Sequence, residues 1–254
     1  MPRILVINPN TTVAVTDLVA EWARALAGSG VEIVPVTGRF GARYITSRAT
    51  AAIAAHAALD ALAEHVAGCD AVFLACFGDP GLLALKELSP VPVIGMAEAS
   101  CHLACLLGRR FSIVTGGERW RPMLEEFVAE LGLSGRLAGI RAVAPTGGEI
   151  ARDPDAALAL LAEQCSACAT ADGTDIVVLG GAGLAGLAER IAPSVPIPVL
   201  CSVEAGLRAT LAAAHLQAGK ARLGSAAPAV AAVETVGLSE ALAQSLLAGG
   251  IAPP

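Results

Sequence analysis

The chain has 254 residues, of which 55% are hydrophobic, 16% charged and 3% aromatic. The net charge is −6 and the basic residues are scattered, which excludes the basic patch of a nucleic-acid-binding surface. No apolar run reaches the length of a membrane span. The seven cysteines do not have the pattern of a disulfide framework, and the chain starts with a strand rather than a signal peptide. We therefore expect a cytoplasmic protein that binds neither nucleic acid nor membrane.

Short apolar runs alternate with helical stretches in the first part of the chain. A polar turn follows the first run, and Thr12 is expected to cap the first helix. A polar loop at 37–47 carries the only tyrosine, Tyr44. This alternation predicts a parallel sheet with right-handed crossovers. The expected strands are 3–7, 31–36, 71–75 and 91–95, and the expected helices are 12–27, 49–66 and 97–107.

The pattern then repeats. Residues 110–117 resemble 3–10, residues 175–181 resemble 70–76, and residues 198–205 resemble 92–99. Three matches in the same order at near-equal spacing indicate an internal duplication. We expect an α/β fold with two lobes, 1–107 and 108–214. A helix at 229–247, within a C-terminal segment 215–254, is expected to pack on the first lobe.

The most informative stretch is the end of the third strand. The apolar run that starts at Val72 ends at Cys76, and a glycine-rich turn follows through Gly81. In open α/β sheets ligands bind at the carboxyl ends of the strands, which would place this thiol in a cleft. The alternative is a buried core cysteine, since free cysteine is among the most buried residue types. Pseudo-twofold symmetry would place the repeat mate of Cys76, Gly181, on the other side of the cleft.

Three motifs resemble those of hydantoin and allantoin racemases, in the aspartate/glutamate racemase superfamily. They are Asn-Pro-Asn-Thr-Thr at 8–12, Cys-Phe-Gly-Asp-Pro-Gly at 76–81 and Leu-Gly-Gly-Ala-Gly-Leu at 179–184. The resemblance implies two flavodoxin-like lobes with the site between them, a small-molecule substrate, no cofactor and no metal. It also implies a homo-oligomer, and a cysteine from each lobe beside the substrate's stereocentre.

The implied reaction is a racemisation at a carbon next to a carbonyl. One thiolate removes the proton and a thiol on the opposite face returns one. A free thiol has a pKa of about 8.5, so only a modest lowering would be needed for this chemistry near neutral pH. Backbone N–H groups at the strand-end turns can hold the developing enolate oxygen. Phe77, Gly78, Gly116 and Ala182 offer such groups.

The chain departs from the family pattern at Gly181, where racemases of this family carry the second cysteine. Cys201 lies one strand along and is the alternative thiol, although its repeat mate Gly95 places it at a strand end. With Cys76 alone, the chain lacks the second thiol that two-base racemisation would use. Single-cysteine relatives decarboxylate disubstituted malonates, but they keep the second-lobe cysteine, the reverse of this chain. Maleate isomerases use a first-lobe cysteine as nucleophile, yet keep a second one.

Two alternative functions therefore remain open besides racemisation. One is a one-base decarboxylase or isomerase on the same scaffold, and the other is a member without catalytic activity that binds a small amide or acid. Some of the predicted binding residues also have a structural interpretation. Asn8 and Asn10 could cap the first turn, Asp79 could cap the next helix, and Tyr44 could be an exposed side chain without a role. The predicted catalytic positions are Cys76 and Gly181, and the predicted substrate-binding residues are Asn8, Asn10, Tyr44, Ile45, Phe77, Gly78, Asp79, Thr115, Gly116, Gly117, Ala182 and Gly183.

Two other patterns favour a structural interpretation. Residues 181–186 fit G-x-G-x-x-G after a strand, with Glu204 near the spacing of a dinucleotide site, but the motif is not in the first strand–helix unit. Small residues there are also expected of a duplicated substrate loop. Cys165 and Cys168 form C-x-x-C inside a helix, with no second pair to complete a zinc site. We expect them on a buried helix face.

Overall fold

Two four-stranded parallel sheets form the centre of the molecule. The computed structural model describes residues 1–216, 227 and 232–251. The strand order is β2-β1-β3-β4 in the first sheet and β6-β5-β7-β8 in the second. Both follow the 2-1-3-4 order of flavodoxin-like sheets, which confirms the predicted α/β fold class. The strands are β1 Arg3–Asn8, β2 Glu32–Thr37, β3 Ala71–Leu74, β4 Val93–Gly95, β5 Phe111–Gly116, β6 Leu137–Val143, β7 Ile176–Gly180 and β8 Val199–Cys201.

Helices connect successive strands, as parallel pairing requires. The strands and helices expected in the first lobe agree with the structure within two residues. The helices are α1 Val13–Ala27, α2 Arg48–His65, α3 Leu82–Leu88, α4 Met96–Leu107, α5 Trp120–Glu130, α6 Gly147–Arg152, α7 Pro154–Asp172, α8 Leu187–Ile191, α9 Ser202–Leu216 and α10 Glu240–Leu247.

The duplication extends to individual hydrogen bonds. The backbone N–H of Arg3, at the start of β1, donates to the Asp70 carboxylate at 2.6 Å. The N–H of Arg110, just before β5, donates to the Asp175 carboxylate at 2.9 Å. Each carboxylate comes just before the strand that pairs with the first strand of its sheet, so equivalent side chains fix the register of β1 with β3 and of β5 with β7.

The two halves meet along α4 and α9, which pack against each other directly after β4 and β8. The Ser202 hydroxyl, at the start of α9, donates to Met96 Sδ at 3.4 Å, at the start of α4. A single cluster of buried apolar side chains includes residues of both sheets, from Ile4 to Leu179. This contact holds the carboxyl ends of both sheets on the same side of the molecule.

Two expectations need correction. Thr12 precedes α1, but its hydroxyl donates to the Arg43 carbonyl at 2.7 Å instead of capping the helix. The Thr12 N–H instead donates to Asn10 Oδ1 at 2.8 Å. The C-terminal helix is shorter than expected, because residues 232–239 are not helical and α10 starts after Ser239. Residues 229–231 of the expected helix lie outside the described residues.

The position of α10 is nevertheless on the first lobe. It packs on α2, and Leu242 is buried in a cluster with Leu62 and Leu5. The division of the chain at 107/108 stays a prediction, because α9 contacts elements of both halves, among them β3 and β8. Within the described residues, no helix is long and apolar enough to span a membrane.

Candidate active site

A cavity lies between the carboxyl ends of the two sheets. It encloses about 630 Å³ of space not occupied by atoms, part of it open to solvent. It contains both positions predicted for catalysis, Cys76 and Gly181, and most of those predicted for substrate binding. From that prediction, the lining includes Asn10, Tyr44, Ile45, Phe77, Thr115, Gly116, Gly117, Ala182 and Gly183.

Cys76 is held in the floor of the cavity at the end of β3. Its side chain is 8% exposed and packs with Ile45, Ala54 and the Trp120 ring. Burial raises the pKa of the Cys76 thiol above its usual value, and the nearby Asp79 carboxylate raises it further. The direction is opposite to the modest lowering of the thiol pKa that proton abstraction near neutral pH would need. Among the described residues, no cation compensates for the lost hydration, so the resting side chain is a neutral thiol.

Asp79 does not line the cavity. Its carboxylate accepts the N–H groups of Ala97, at 2.9 Å, and of Glu98, at 2.7 Å, at the start of α4. Burial raises its pKa to about 7, although both hydrogen bonds oppose the shift. Its own N–H donates to the Cys76 carbonyl at 3.0 Å. Asp79 therefore ties the Cys76 turn to α4, which fits the capping alternative rather than direct substrate contact.

Gly181 forms the wall opposite the first-lobe turn, and its backbone has φ +144°, a conformation that L-residues rarely adopt. A β-carbon at this position would lie 2.9 Å from Leu184 Cδ1. The Gly181 N–H donates to the Ser202 hydroxyl at 3.1 Å. Cys201, the alternative thiol, is buried and is not among the residues that line the cavity. The second wall therefore presents glycine and leucine where the resemblance implies a thiol.

Asn8 and Asn10 have different roles. Asn8 is fully buried, and its side-chain amide donates to Asn10 Oδ1 at 3.1 Å and to Thr16 Oγ1 at 2.9 Å. Asn8 therefore does not reach the cavity, contrary to its assignment as a substrate-binding residue. Asn10 lines the cavity, and its Nδ2 has no hydrogen-bond partner within the described residues. Because Oδ1 is used by Asn8 and Thr12, the Asn10 amide N–H groups remain available to a ligand.

Tyr44 is half-buried rather than exposed. Its ring lies flat on the backbone of Gly148, so closely that a β-carbon there would overlap Cζ. The Arg152 guanidinium lies 6.0 Å from the ring centre. Gly148 and Arg152 belong to α6 in the second half of the chain, so the loop that carries Tyr44 reaches across the cleft.

Trp120 covers both glycine turns at the mouth of the cavity. A β-carbon on Gly78 would overlap the Trp120 ring, and one on Gly117 would lie 3.3 Å from Cδ1. Gly78 lies behind this ring and does not line the cavity, unlike its predicted role in binding. The Phe77 ring lies equally close to the backbone of Gly180 in the second half of the chain, because a β-carbon on Gly180 would overlap that ring. The Thr115 hydroxyl donates to the Gly180 carbonyl at 2.8 Å and is thereby engaged.

Several backbone N–H groups around the cavity have no acceptor within the described residues. They belong to Phe77 in the first turn and to Ala182 and Gly183 in the second. Such groups can hold an oxygen on which negative charge develops. Gly183 and Gly186, which gave the dinucleotide-like pattern, have packing roles. A β-carbon on Gly183 would overlap the Gly147 carbonyl, and one on Gly186 would overlap the Trp22 ring.

Some lining residues were not predicted from the sequence. One signal could have found part of them: the loop after β2 carries Tyr44, so the repeat predicts that the loop after β6 also reaches the cleft. That loop supplies Thr146 and Gly147. The other lining residues without a prediction are Val15, Thr46, Ala75, Trp120, Gly180 and Leu184. Cys165 and Cys168 are buried in α7, as expected.

The chain matches known racemases over most of its length. The sequence profile of the Asp/Glu/Hydantoin racemase family matches residues 4–210. A hydantoin racemase from Paenarthrobacter aurescens is 37% identical over 225 residues, 86% of this chain and 94% of that protein. A hydantoin racemase from a Pseudomonas species is 34% identical over 207 residues, 81% of this chain and 83% of that protein.

The solved structures agree with the sequence relatives. The crystal structure of an allantoin racemase from Pseudomonas fluorescens superimposes with a TM-score of 0.85 and 34% sequence identity. The match covers 89% of this chain and 96% of that one. Profile, relatives and superposition all span both halves of the chain and the cavity between them. The chain therefore belongs to the Asp/Glu/Hydantoin racemase family.

Proposed function

We propose that the chain is a cofactor-independent racemase of the hydantoin racemase type, in which Cys76 is the acid/base on one face of the substrate. The observation that carries the proposal is the position of Cys76, the one cysteine that lines the cavity among the described residues. The named activity of relatives at 34–37% identity supports the reaction class. The substrate class is a ring or chain with a weakly acidic C–H beside a carbonyl, such as a 5-substituted hydantoin.

The lining supports an uncharged substrate. Among the described residues, those that surround the cavity include no lysine, arginine, histidine, aspartate or glutamate. The polar groups are amide, hydroxyl and backbone N–H groups, which suit the carbonyl and N–H edges of an imide ring. Val15, Ile45 and Leu184 supply apolar surface for a substituent.

The mechanism follows from the state of the thiol. Cys76 rests as a neutral thiol, because burial raises its pKa. In its deprotonated form it removes the substrate's α-proton, and the electron pair moves onto the carbonyl oxygen. We assign the stabilisation of that oxygen to the N–H groups of Phe77 and Ala182, which have no acceptor among the described residues. In the reverse direction the thiol returns the proton to the same face.

The test is proton NMR with optical rotation, on one enantiomer of a 5-alkylhydantoin in D₂O, with allantoin as a second substrate. Wild-type protein should exchange the α-proton faster than an enzyme-free sample. Cys76→Ser should reduce exchange to the enzyme-free rate. Cys105→Ser is the matched control, since Cys105 is a half-buried thiol of α4 that does not line the cavity. Exchange that is equal in wild type and Cys76→Ser contradicts the proposal.

A second candidate is one-face chemistry, either a decarboxylation or an isomerisation. The observation that favours it is the glycine at 181, with Leu184 in the space that a side chain there would take. Release of carbon dioxide from an arylmalonate, lost in Cys76→Ser, would identify the decarboxylase. Hydantoin binding with neither exchange nor decarboxylation would indicate a member that only binds its ligand.

A further inference from the structure

The wall opposite Cys76 needs a proton-transferring group if the protein racemises its substrate. Position 181 has no side chain, and Leu184 Cδ1 occupies the adjoining space. Of the lining hydroxyls, Thr115 donates to the Gly180 carbonyl and Thr146 donates to the Glu149 carboxylate. The Thr46 hydroxyl and the Asn10 amide are not groups that enzymes use as acids or bases. Tyr44 is the remaining lining side chain of a type that acts in general acid–base catalysis.

The position of the Tyr44 ring places it on the second wall. The ring lies on Gly148. The residue before it, Gly147, packs against the second wall. Its carbonyl lies against Gly183, and a β-carbon on Gly147 would be 3.7 Å from Leu184 Cδ1. Tyr44, Gly147 and the turn after Gly181 therefore form one continuous surface.

Consecutive residues of the loop contact opposite walls of the cavity. Ile45 packs with Cys76 in the first wall, whereas Tyr44 lies against α6 in the second. The loop therefore places the phenol across the cavity from the thiol. The Tyr44 hydroxyl has no hydrogen-bond partner within the described part of the chain, so it is free to exchange a proton with a ligand. The Arg152 guanidinium, 6.0 Å from the ring centre, packs over the same ring and helps to hold it against α6.

We infer that Tyr44 is the second acid/base, and that it replaces the missing thiol at position 181. In one direction the Cys76 thiolate takes the α-proton and the Tyr44 phenol gives its proton to the opposite face of the enolate. This leaves a thiol and a phenolate. The thiol then loses a proton to water and the phenolate gains one, which restores the starting state. In the other direction the phenolate abstracts and the thiol donates.

This inference rests on the proposed function, and the test separates the two. The measured quantity is the ratio of racemisation to α-proton exchange for one enantiomer of a 5-alkylhydantoin in D₂O. Tyr44→Phe keeps the ring on Gly148 and removes only the hydroxyl. It should retain exchange at the Cys76 face and lower the ratio by about 100-fold or more, the scale on which one acid or base contributes. Tyr44→His, which can still transfer a proton, should restore part of the racemisation.

Thr46→Val is the matched control, because it removes a lining hydroxyl from the same loop. If Thr46→Val weakens substrate binding, it should slow exchange and racemisation together and leave their ratio unchanged. Tyr44→Phe with the wild-type ratio would overturn the role of Tyr44 and leave Cys76 unaffected. Wild-type exchange with rotation retained would also overturn it, since no second-face donor would then exist. No wild-type exchange would instead reject the proposed function.

Discussion

Leu184 Cδ1 lies 2.9 Å from the position that a β-carbon on Gly181 would occupy. The backbone at Gly181 has φ +144°, which disfavours any L-residue, and its N–H is bound to the Ser202 hydroxyl. The backbone conformation and the packing around Gly181 therefore both disfavour a side chain at this position.

Gly181→Cys should therefore destabilise the protein instead of simply completing a two-thiol site. A residue held in a sparsely populated backbone region costs about 1–3 kcal/mol, and the contact with Leu184 adds to that. The free energy of unfolding, from urea denaturation, should fall by an amount in this range. Gly181→Ala is the matched control and should lose a similar amount, since the strain comes from the β-carbon. A Gly181→Cys protein as stable as wild type would show that the turn relaxes easily.

Gly148→Ala should impair activity through Tyr44. A β-carbon at this position overlaps the ring at Cζ, so the ring must move away from the second wall. Alanine is otherwise favourable within α6, because it has a higher helix propensity than glycine. We expect kcat/KM for hydantoin exchange to fall by about tenfold or more, with racemisation more affected than exchange.

The matched control is Gly135→Ala. A β-carbon there meets no atom within 4 Å, and the residue is not in a positive-φ conformation. Its activity should equal that of wild type. A Gly148→Ala protein with unchanged kinetics would mean that the Tyr44 ring position is not needed for turnover.

The sequence predicted the parts of the fold and site that repeat. The runs before Asn8, Cys76 and Gly181 are continuous and apolar because their strands are buried on both faces, and the duplication placed their ends together. Strand β6 was not predicted, and Arg141 interrupts its apolar run. That side chain is satisfied by the Asp172 carboxylate of α7 at 2.8 Å and 3.0 Å, a partner that periodicity cannot reveal.

The raised pKa of Cys76 was equally hidden from the sequence. The motif gives the thiol but not its surroundings, and these exclude water and contain an acid instead of a cation. For a related reason, the sequence left the substrate-binding and the capping roles of Asn8 and Asp79 both open. Motif membership does not distinguish a residue that touches the ligand from one that holds the turn, and both bond to backbone or buried groups behind the cavity.

The pH dependence of exchange should report the protonation of Cys76. Burial and the Asp79 charge raise the pKa of this thiol, so the thiolate is a minor form at neutral pH. Below the thiol pKa, the thiolate fraction grows about tenfold with each pH unit. The exchange rate at saturating hydantoin should therefore rise from pH 6 to pH 9 without a plateau. Because hydantoins also exchange unaided in base, the rate with Cys76→Ser is subtracted at each pH. A plateau below pH 7.5 would contradict a buried neutral thiol.

Asp79 should make stability depend on pH in the direction opposite to most paired carboxylates. Its folded-state pKa is raised to about 7 from a usual value of 3.8, mainly by burial, so between these values the folded protein binds more protons than the unfolded chain. The contribution of this group is therefore largest below pH 4 and is lost as pH rises towards 7. Asp79→Asn keeps the side-chain size and does not titrate. The unfolding free energy of wild type minus that of Asp79→Asn, measured by urea denaturation from pH 4 to pH 8, should decrease with pH and level off above 7. A difference that increases with pH would mean that the hydrogen bonds from Ala97 and Glu98 outweigh the cost of burying the charge.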